Sequence, residues 1–170
     1  MKKILLCILT ILLVVSCGSI KKPAVDRFQT TILPEYVKNL YIGMPLEEFK
    51  EIKNEKSSMI EENLMSFRYE YEEIVNEENL ESIVYYFDAD IPSQPLYEMI
   101  FIYKSDFDVE AYAESMYGEP SVLFHLPYDE WCWDSHEGFK IVAWTFENKL
   151  VIIGTIKKTE WGELDVCGNK

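Results

Sequence analysis

Cysteine pairs at redox spacing, glycine-rich loops, histidines and basic residues are all scarce in this chain. Its four cysteines include no Cys-x-x-Cys, which argues against a thioredoxin-like oxidant. No Gly-x-Ser-x-Gly elbow exposes a serine nucleophile, and the seven glycines are scattered instead of forming a phosphate-cradling loop. Only two histidines are available as general bases or metal ligands. Lysine and arginine total 16 against 30 acids, a formal charge of −14. Phosphates and anionic lipid surfaces repel so acidic a chain, which excludes nucleic acid as a partner.

Long apolar runs are also lacking. Ile4 to Val15 is a twelve-residue stretch interrupted by Cys7 and Thr10, whereas a membrane-crossing helix needs about 20 apolar residues. Behind the cationic Met1-Lys2-Lys3 this run has the proportions of a signal-peptide core. Val14-Val15-Ser16-Cys17 follows, and it resembles the lipobox of bacterial lipoproteins. The resemblance implies cleavage after residue 16 and attachment of diacylglycerol to the Cys17 sulfur, the nucleophile that accepts the lipid. A small residue before the cysteine fits a narrow peptidase pocket. The competing reading, a transmembrane anchor with incidental cysteines, suits neither the short run nor the polar Gly18-Ser19. Two or more acyl chains, at about 0.8 kcal/mol per buried methylene, tether a protein stably without spanning the bilayer. The expected location is therefore the cell envelope. Gly18 in place of Asp implies the outer membrane in a two-membrane host, and the outer face of the plasma membrane otherwise.

Loss of residues 1–16 leaves 154 residues and removes two lysines but no acid. That length suits one domain, and the 48% hydrophobic and 14% aromatic content argues against disorder. Residues 17–34, with Lys21-Lys22-Pro23 and no sustained period, are expected to be the lipidated cysteine and a tether, and 35–170 the domain. After processing and lipidation two cysteines remain, Cys132 and Cys167. They either pair in an oxidising compartment or stay as free thiols; a bridge closing that loop would contribute about 3–4 kcal/mol.

Gly43-Met44-Pro45 looks like the start of a helix, with Leu46, Phe49 and Ile52 as its apolar stripe and Glu47 and Glu48 at the positive end of its dipole. A second helix is predicted over Asp108 to Tyr117, stopped by Gly118 and Pro120. Period-two alternation predicts a strand through Met65, Phe67, Tyr69 and Tyr71. Further strands are expected at 82–88, 96–103, 122–126, 130–134, 139–146 and 150–156, with hairpin turns at Glu137-Gly138 and Glu147-Asn148-Lys149. The expected class is α+β, an antiparallel sheet with helices packed on one face. Leu46-Glu47-x-Phe49-x-Glu51 matches Val109-Glu110-x-Tyr112-x-Glu114, and the following strands match in order. The layout accordingly allows two tandem helix–β–β–β repeats, at 41–104 and 105–156.

Gly43-Met44 opening a helix, Tyr117-Gly118-Glu119-Pro120 closing one and Trp131-x-Trp133 beginning a strand resemble the small outer-membrane assembly lipoproteins of the BamE/SmpA family and the β-lactamase inhibitor proteins that share their fold. The resemblance covers about residues 40 to 156. It implies helices laid across one face of a small antiparallel sheet, and a role in binding other proteins.

His125, Asp129 and His136, with Glu130, Asp134 and Glu137 nearby, form one cluster of metal-ligand residue types. Their spacing matches no helical ligand pair, so solvated or sheet-edge histidines are the favoured reading over zinc. Tyr128, Trp131, Trp133 and Trp144 concentrate aromatic surface of the kind used at interfaces. Trp131 and Trp133 share one strand face, and a core-facing pair is the commoner arrangement. The expectation is a lipid-anchored, non-catalytic binding or scaffolding module without a cofactor, engaging the membrane through Cys17 and another envelope protein through an exposed apolar patch. The alternatives are an envelope hydrolase or metal-dependent enzyme using His125, Asp129 and His136, and a small-ligand-binding lipoprotein.

Overall fold

The computed structural model describes residues 29–53, 59–65 (as backbone), 67–75, 77–121, 130–164 and 167. The expected signal segment, Cys17 and the expected strand at 122–126 lie outside them, as do His125, Tyr128 and Asp129. The elements are α1 (Gln29–Ile32), a 3-10 turn at Glu35–Val37, α2 (Leu46–Lys53), β1 (Met59–Met65), β2 (Arg68–Ile74), β3 (Leu80–Asp88), β4 (Leu96–Tyr103), α3 (Val109–Tyr117), β5 (Glu130–Asp134), β6 (Lys140–Phe146) and β7 (Lys149–Gly154). The strands form one antiparallel sheet in the order β1-β2-β3-β4-β7-β6-β5. The fold is α+β, with β4 and β7 paired at its centre.

Alternation sorts the side chains onto two faces. One face, the helix face, carries Tyr71, Tyr85, Phe87, Met99, Phe101, Leu150, Ile152, Ile141, Ala143 and Trp131, all buried. Phe49 of α2 enters it among the rings of Tyr71, Tyr85 and Phe87, with centroids 4.8–5.7 Å away. From α3, Val109 and Ala113 are buried in the same core and Tyr112 packs 5.5 Å from Tyr103. Asp108 caps α3 by accepting from the Ala111 N–H at 3.0 Å, and Gly118 closes it at φ +78°, as the capping residues predict. At the end of α2, Lys53 pairs with Glu73 at 2.5 Å, and Tyr85 donates to the same carboxylate at 2.6 Å. This pins the helix to β2 and β3 through a buried pair that would be strongly destabilised by loss of either charge alone.

Three expectations need correction. The strand through Met65 to Tyr71 is two strands. The chain reverses between β1 and β2, with Met65 opposite Arg68 and Phe67 in the turn. No glycine or Asn-Gly marks this reversal, so alternation runs unbroken across it in the sequence. The packed body also begins earlier than residue 35. Gln29, Ile32 and Leu33 are buried, and the Gln29 amide accepts from the Ile42 N–H at 2.7 Å and donates to the Ile42 carbonyl at 3.2 Å. A side-chain amide can satisfy both groups of one backbone residue, which lets a polar residue sit in the core. The last strand ends at Gly154, two residues short of expectation, although the Thr155 N–H still donates to the Lys140 carbonyl at 2.9 Å.

Gly154 fixes how closely the 40–44 segment approaches the sheet. A Cβ there would lie 2.2 Å from Ile42 Cγ2 and 3.3 Å from the Phe139 ring, and Ile42 is fully buried with no room to retreat. Gly154→Ala is expected to destabilise the fold by about 1–3 kcal/mol through overpacking, read as a lowered urea midpoint with an unchanged slope.

Candidate functional site

Among the described residues no helix lies on the other side of the sheet, and register defines its rows. Ile74, Ser82, Ile102, Lys149 and Phe146 lie side by side across five strands. The next row is Glu72, Val84, Ile100, Val151, Trp144 and Glu130. Glu70, Tyr86, Glu98, Ile153, Val142 and Cys132 make the third.

That third row is covered by the segment after β7, residues 157–164 with Cys167, here called the strap. Cys132 and Cys167 form a disulfide. Trp161 packs edge-on against Trp144, with centroids 6.2 Å apart, and its Nε1–H donates to Glu98 Oε2 at 2.9 Å. Glu160 accepts from the Tyr97 hydroxyl at 3.0 Å and pairs with Arg68 at 3.4 Å. Beneath the strap, Val142, Val151 and Ile153 form a small apolar cluster separate from the helix-face core.

The register of β3 against β4 shifts between Tyr86 and Phe87, leaving Tyr97 as an extra residue between Leu96 and Glu98. Such a bulge breaks alternation locally, so Tyr97 and Glu98 both serve the strap face. Tyr97 stacks with Tyr86 at 6.5 Å, and the Arg68 guanidinium lies 4.1 Å over the Tyr86 ring. Burial and the neighbouring Glu70 push the Tyr86 hydroxyl up to about 12. Burial first, then Glu160, drive the Tyr97 hydroxyl well above its ordinary value. Both rings therefore act as neutral donors and packing surfaces.

Glu98 stands apart chemically. It is 5% exposed, and burial raises its carboxyl to about 7. The Trp161 N–H and Arg68 oppose that rise, and Glu160 and Glu70 reinforce it.

The residues singled out from the sequence divide between the two faces. Trp131 is buried on the helix face, where its Nε1–H donates to the Gly118 carbonyl at 2.9 Å and its ring meets Tyr117 at 5.6 Å. The binding assignment of Trp131 is thereby corrected, because a 1%-exposed ring held by α3 offers no surface to a partner. Trp133 is half-buried beside the same Tyr117, at 5.0 Å. Trp144 is on the strap face, half-buried, and keeps its candidacy. His136 is exposed in the β5–β6 turn, and among the described residues no group of three His, Cys, Asp or Glu is placed to hold a metal ion.

Sequence reasoning missed Glu98, Tyr97, Glu160 and Trp161. The bulge had no local signal, and the tail had no period to place it. An open cleft of about 480 Å³ lies at the loop end of the sheet between Gly43, Pro92, Phe139 and Ile156. The charged groups around it, Asp90, Glu137, Lys157 and Lys158, are all exposed, so it offers a ligand little desolvated chemistry.

Among the described residues no helix is long and apolar enough to cross a membrane. No family model, curated protein or solved structure matches this chain.

The Glu98 carboxyl gives stability a pH dependence of definite sign. Below 4.5 it is protonated in folded and unfolded chains alike. Between 4.5 and about 7 the unfolded chain releases the proton and the folded chain holds it. Stability thus falls with rising pH across that window, by at most about 1.4 kcal/mol per unit, and this contribution levels off above it. Urea unfolding at pH 5 and pH 8 should show a smaller difference for Glu98→Gln than for the wild type, since the amide still accepts from Trp161 but cannot ionise. An equal difference would place the dependence elsewhere.

Proposed function

We propose that the protein is a lipid-anchored cell-envelope lipoprotein that acts as a non-catalytic protein-binding module, and that the uncovered rows of the strap face are its binding surface. One observation carries this reading. The outermost row exposes apolar side chains at both ends, Ile74 at 44% and Phe146 at 39%, with Ile102 part-exposed between them. Neighbouring strands are about 4.8 Å apart, so this row extends about 19 Å across the sheet. The second row adds the half-buried Ile100 and Trp144. A row in which apolar side chains alternate with Ser82 and Lys149, rimmed by Glu72, Glu130 and Glu147, has the mixed composition of an interaction surface. The acidic rim favours a partner that presents basic groups around an apolar centre.

The lipobox at Val14 to Cys17 supports the envelope location, and Cys17 is the proposed attachment point. The tandem-repeat reading belongs to the same proposal. It is supported by β4 and β7, the last strands of the two halves, lying side by side at the sheet centre.

Two experiments test this. Cys17→Ser, expressed in a bacterial host, should lose incorporation of labelled palmitate and move from the membrane to the soluble envelope fraction; unchanged fractionation would remove the anchor. Crosslinking on native membranes should trap a defined envelope protein with the wild type and lose it with Ile74→Ser/Phe146→Ser, at unaltered folding by circular dichroism. An identical crosslinking pattern for the two would exclude this strip as the surface.

A further inference from the structure

We propose that the strap is a redox-gated cover: reduction of Cys132–Cys167 by a dithiol releases residues 157–164 from the sheet and extends the apolar strip into the third row, while the helix-face core stays folded. The inference rests on the strap face being the binding surface and names how access to it is regulated.

Three observations support the gate. First, the strap holds itself in shape but contributes no strand to the sheet. Among the described residues its backbone hydrogen bonds are local, from Thr159 N–H to Ile156, Gly162 N–H to Thr159 and Leu164 N–H to Trp161. Among the described residues, Glu160, Trp161 and the disulfide attach it to the sheet. A segment without ladder hydrogen bonds belongs to the low-stability end of a fold and opens on its own.

Second, what lies under it is separate. Val142, Val151 and Ile153 point away from the core in which α2 and α3 pack. Removing the strap exposes these three and the covered side of Trp144, and leaves Phe49, Tyr85, Trp131 and their neighbours buried. The uncovered residues adjoin Ile100 and Trp144 in the second row, so the released surface is continuous with the exposed one.

Third, the bridge is placed where it controls the strap. Cys132 is on the edge strand β5 and Cys167 lies three residues beyond Leu164. Both are only partly buried, so a reductant reaches them. With the bridge closed, both ends of the strap are fixed, one by β7 and the other by β5. Without it, that end loses its covalent tie to β5, and the Trp161 and Glu160 contacts must hold the segment unaided.

The chemistry balances with a dithiol as reductant. One of its thiols, as a thiolate, attacks a sulfur of the bridge. The other protein sulfur leaves as a thiolate and takes up a proton. The second thiol of the reagent then attacks the mixed disulfide, releasing the remaining cysteine and closing the reagent's own ring. Two electrons pass from the dithiol to the protein disulfide. The protein gains two thiols, and the reagent becomes a disulfide.

Hydrogen exchange on the full chain tests the gate without any partner, so its failure and that of the binding reading are separable. On reduction with dithiothreitol, the amides of Thr159, Gly162 and Leu164 should exchange at least tenfold faster, with those of β3 and β4 unchanged. Cys167→Ser should reproduce this without reductant, and reoxidation of the wild type should reverse it. Strap amides equally protected in both redox states would overturn the proposal, since the side-chain contacts would then suffice. So would loss of protection throughout β3 and β4, because the bridge would then be a staple of the whole fold.

Discussion

Antiparallel pairing commits alternate side chains of seven strands to opposite sides of one sheet, and among the described residues helices cover only one side. α2, α3 and the 29–44 segment bury Phe49, Val109, Ile42 and the aromatic interior of β2 to β5. The opposite face must be solvated, covered by some other segment, or used. All three occur in successive rows. Charged residues occupy its margins, the strap covers Val142, Val151 and Ile153, and Ile74 and Phe146 are exposed with Ile102 part-exposed between them. The disulfide, the Trp161–Glu98 hydrogen bond and the exposed strip are three consequences of the same geometric shortage.

Much of the helix face was legible because local chemistry and long-range packing agree there. Asp108, Gly118 and Pro120 bracket α3 closely, and β4 and β5 have the bounds that alternation assigns them. The Trp131-x-Trp133 spacing also indicates a shared face correctly. Legibility fails where a feature has no local signature. The β1–β2 reversal uses Phe67 where glycine would have announced a turn. Gln29 enters the core because two backbone groups of Ile42, thirteen residues away, happen to match its amide. Glu98 and Trp161 meet across 63 positions, and no periodicity records such a partnership. The candidate surface was legible as an expectation that some apolar patch would exist, but not as to which strands would carry it.

Two buried carboxylates illustrate how one residue type is used in opposite ways. Glu73 sits on the helix face with a lysine and a tyrosine on the same oxygen, so charge and hydrogen bonding are both met. Glu98 sits on the strap face, where burial first, then Glu160 and Glu70, disfavour its ionised form, and the indole N–H of Trp161 only partly offsets this. The first anchors a helix to the sheet. The second ties the stability of the sheet to the acidity of its surroundings, at the row where the strap is seated.

The hold of Gln29 on Ile42 has a mechanical meaning if Cys17 carries the lipid. Among the described residues it makes residue 29 the first fixed point of the domain counted from Cys17. Twelve Cα steps separate the two positions, and a fully extended chain advances at most about 3.3–3.6 Å per step, so that point lies within about 40 Å of the anchored residue. Everything the domain can grasp while anchored is then confined to a shell of that depth plus the depth of the body itself. A partner held farther out would be out of reach, however well its surface matched.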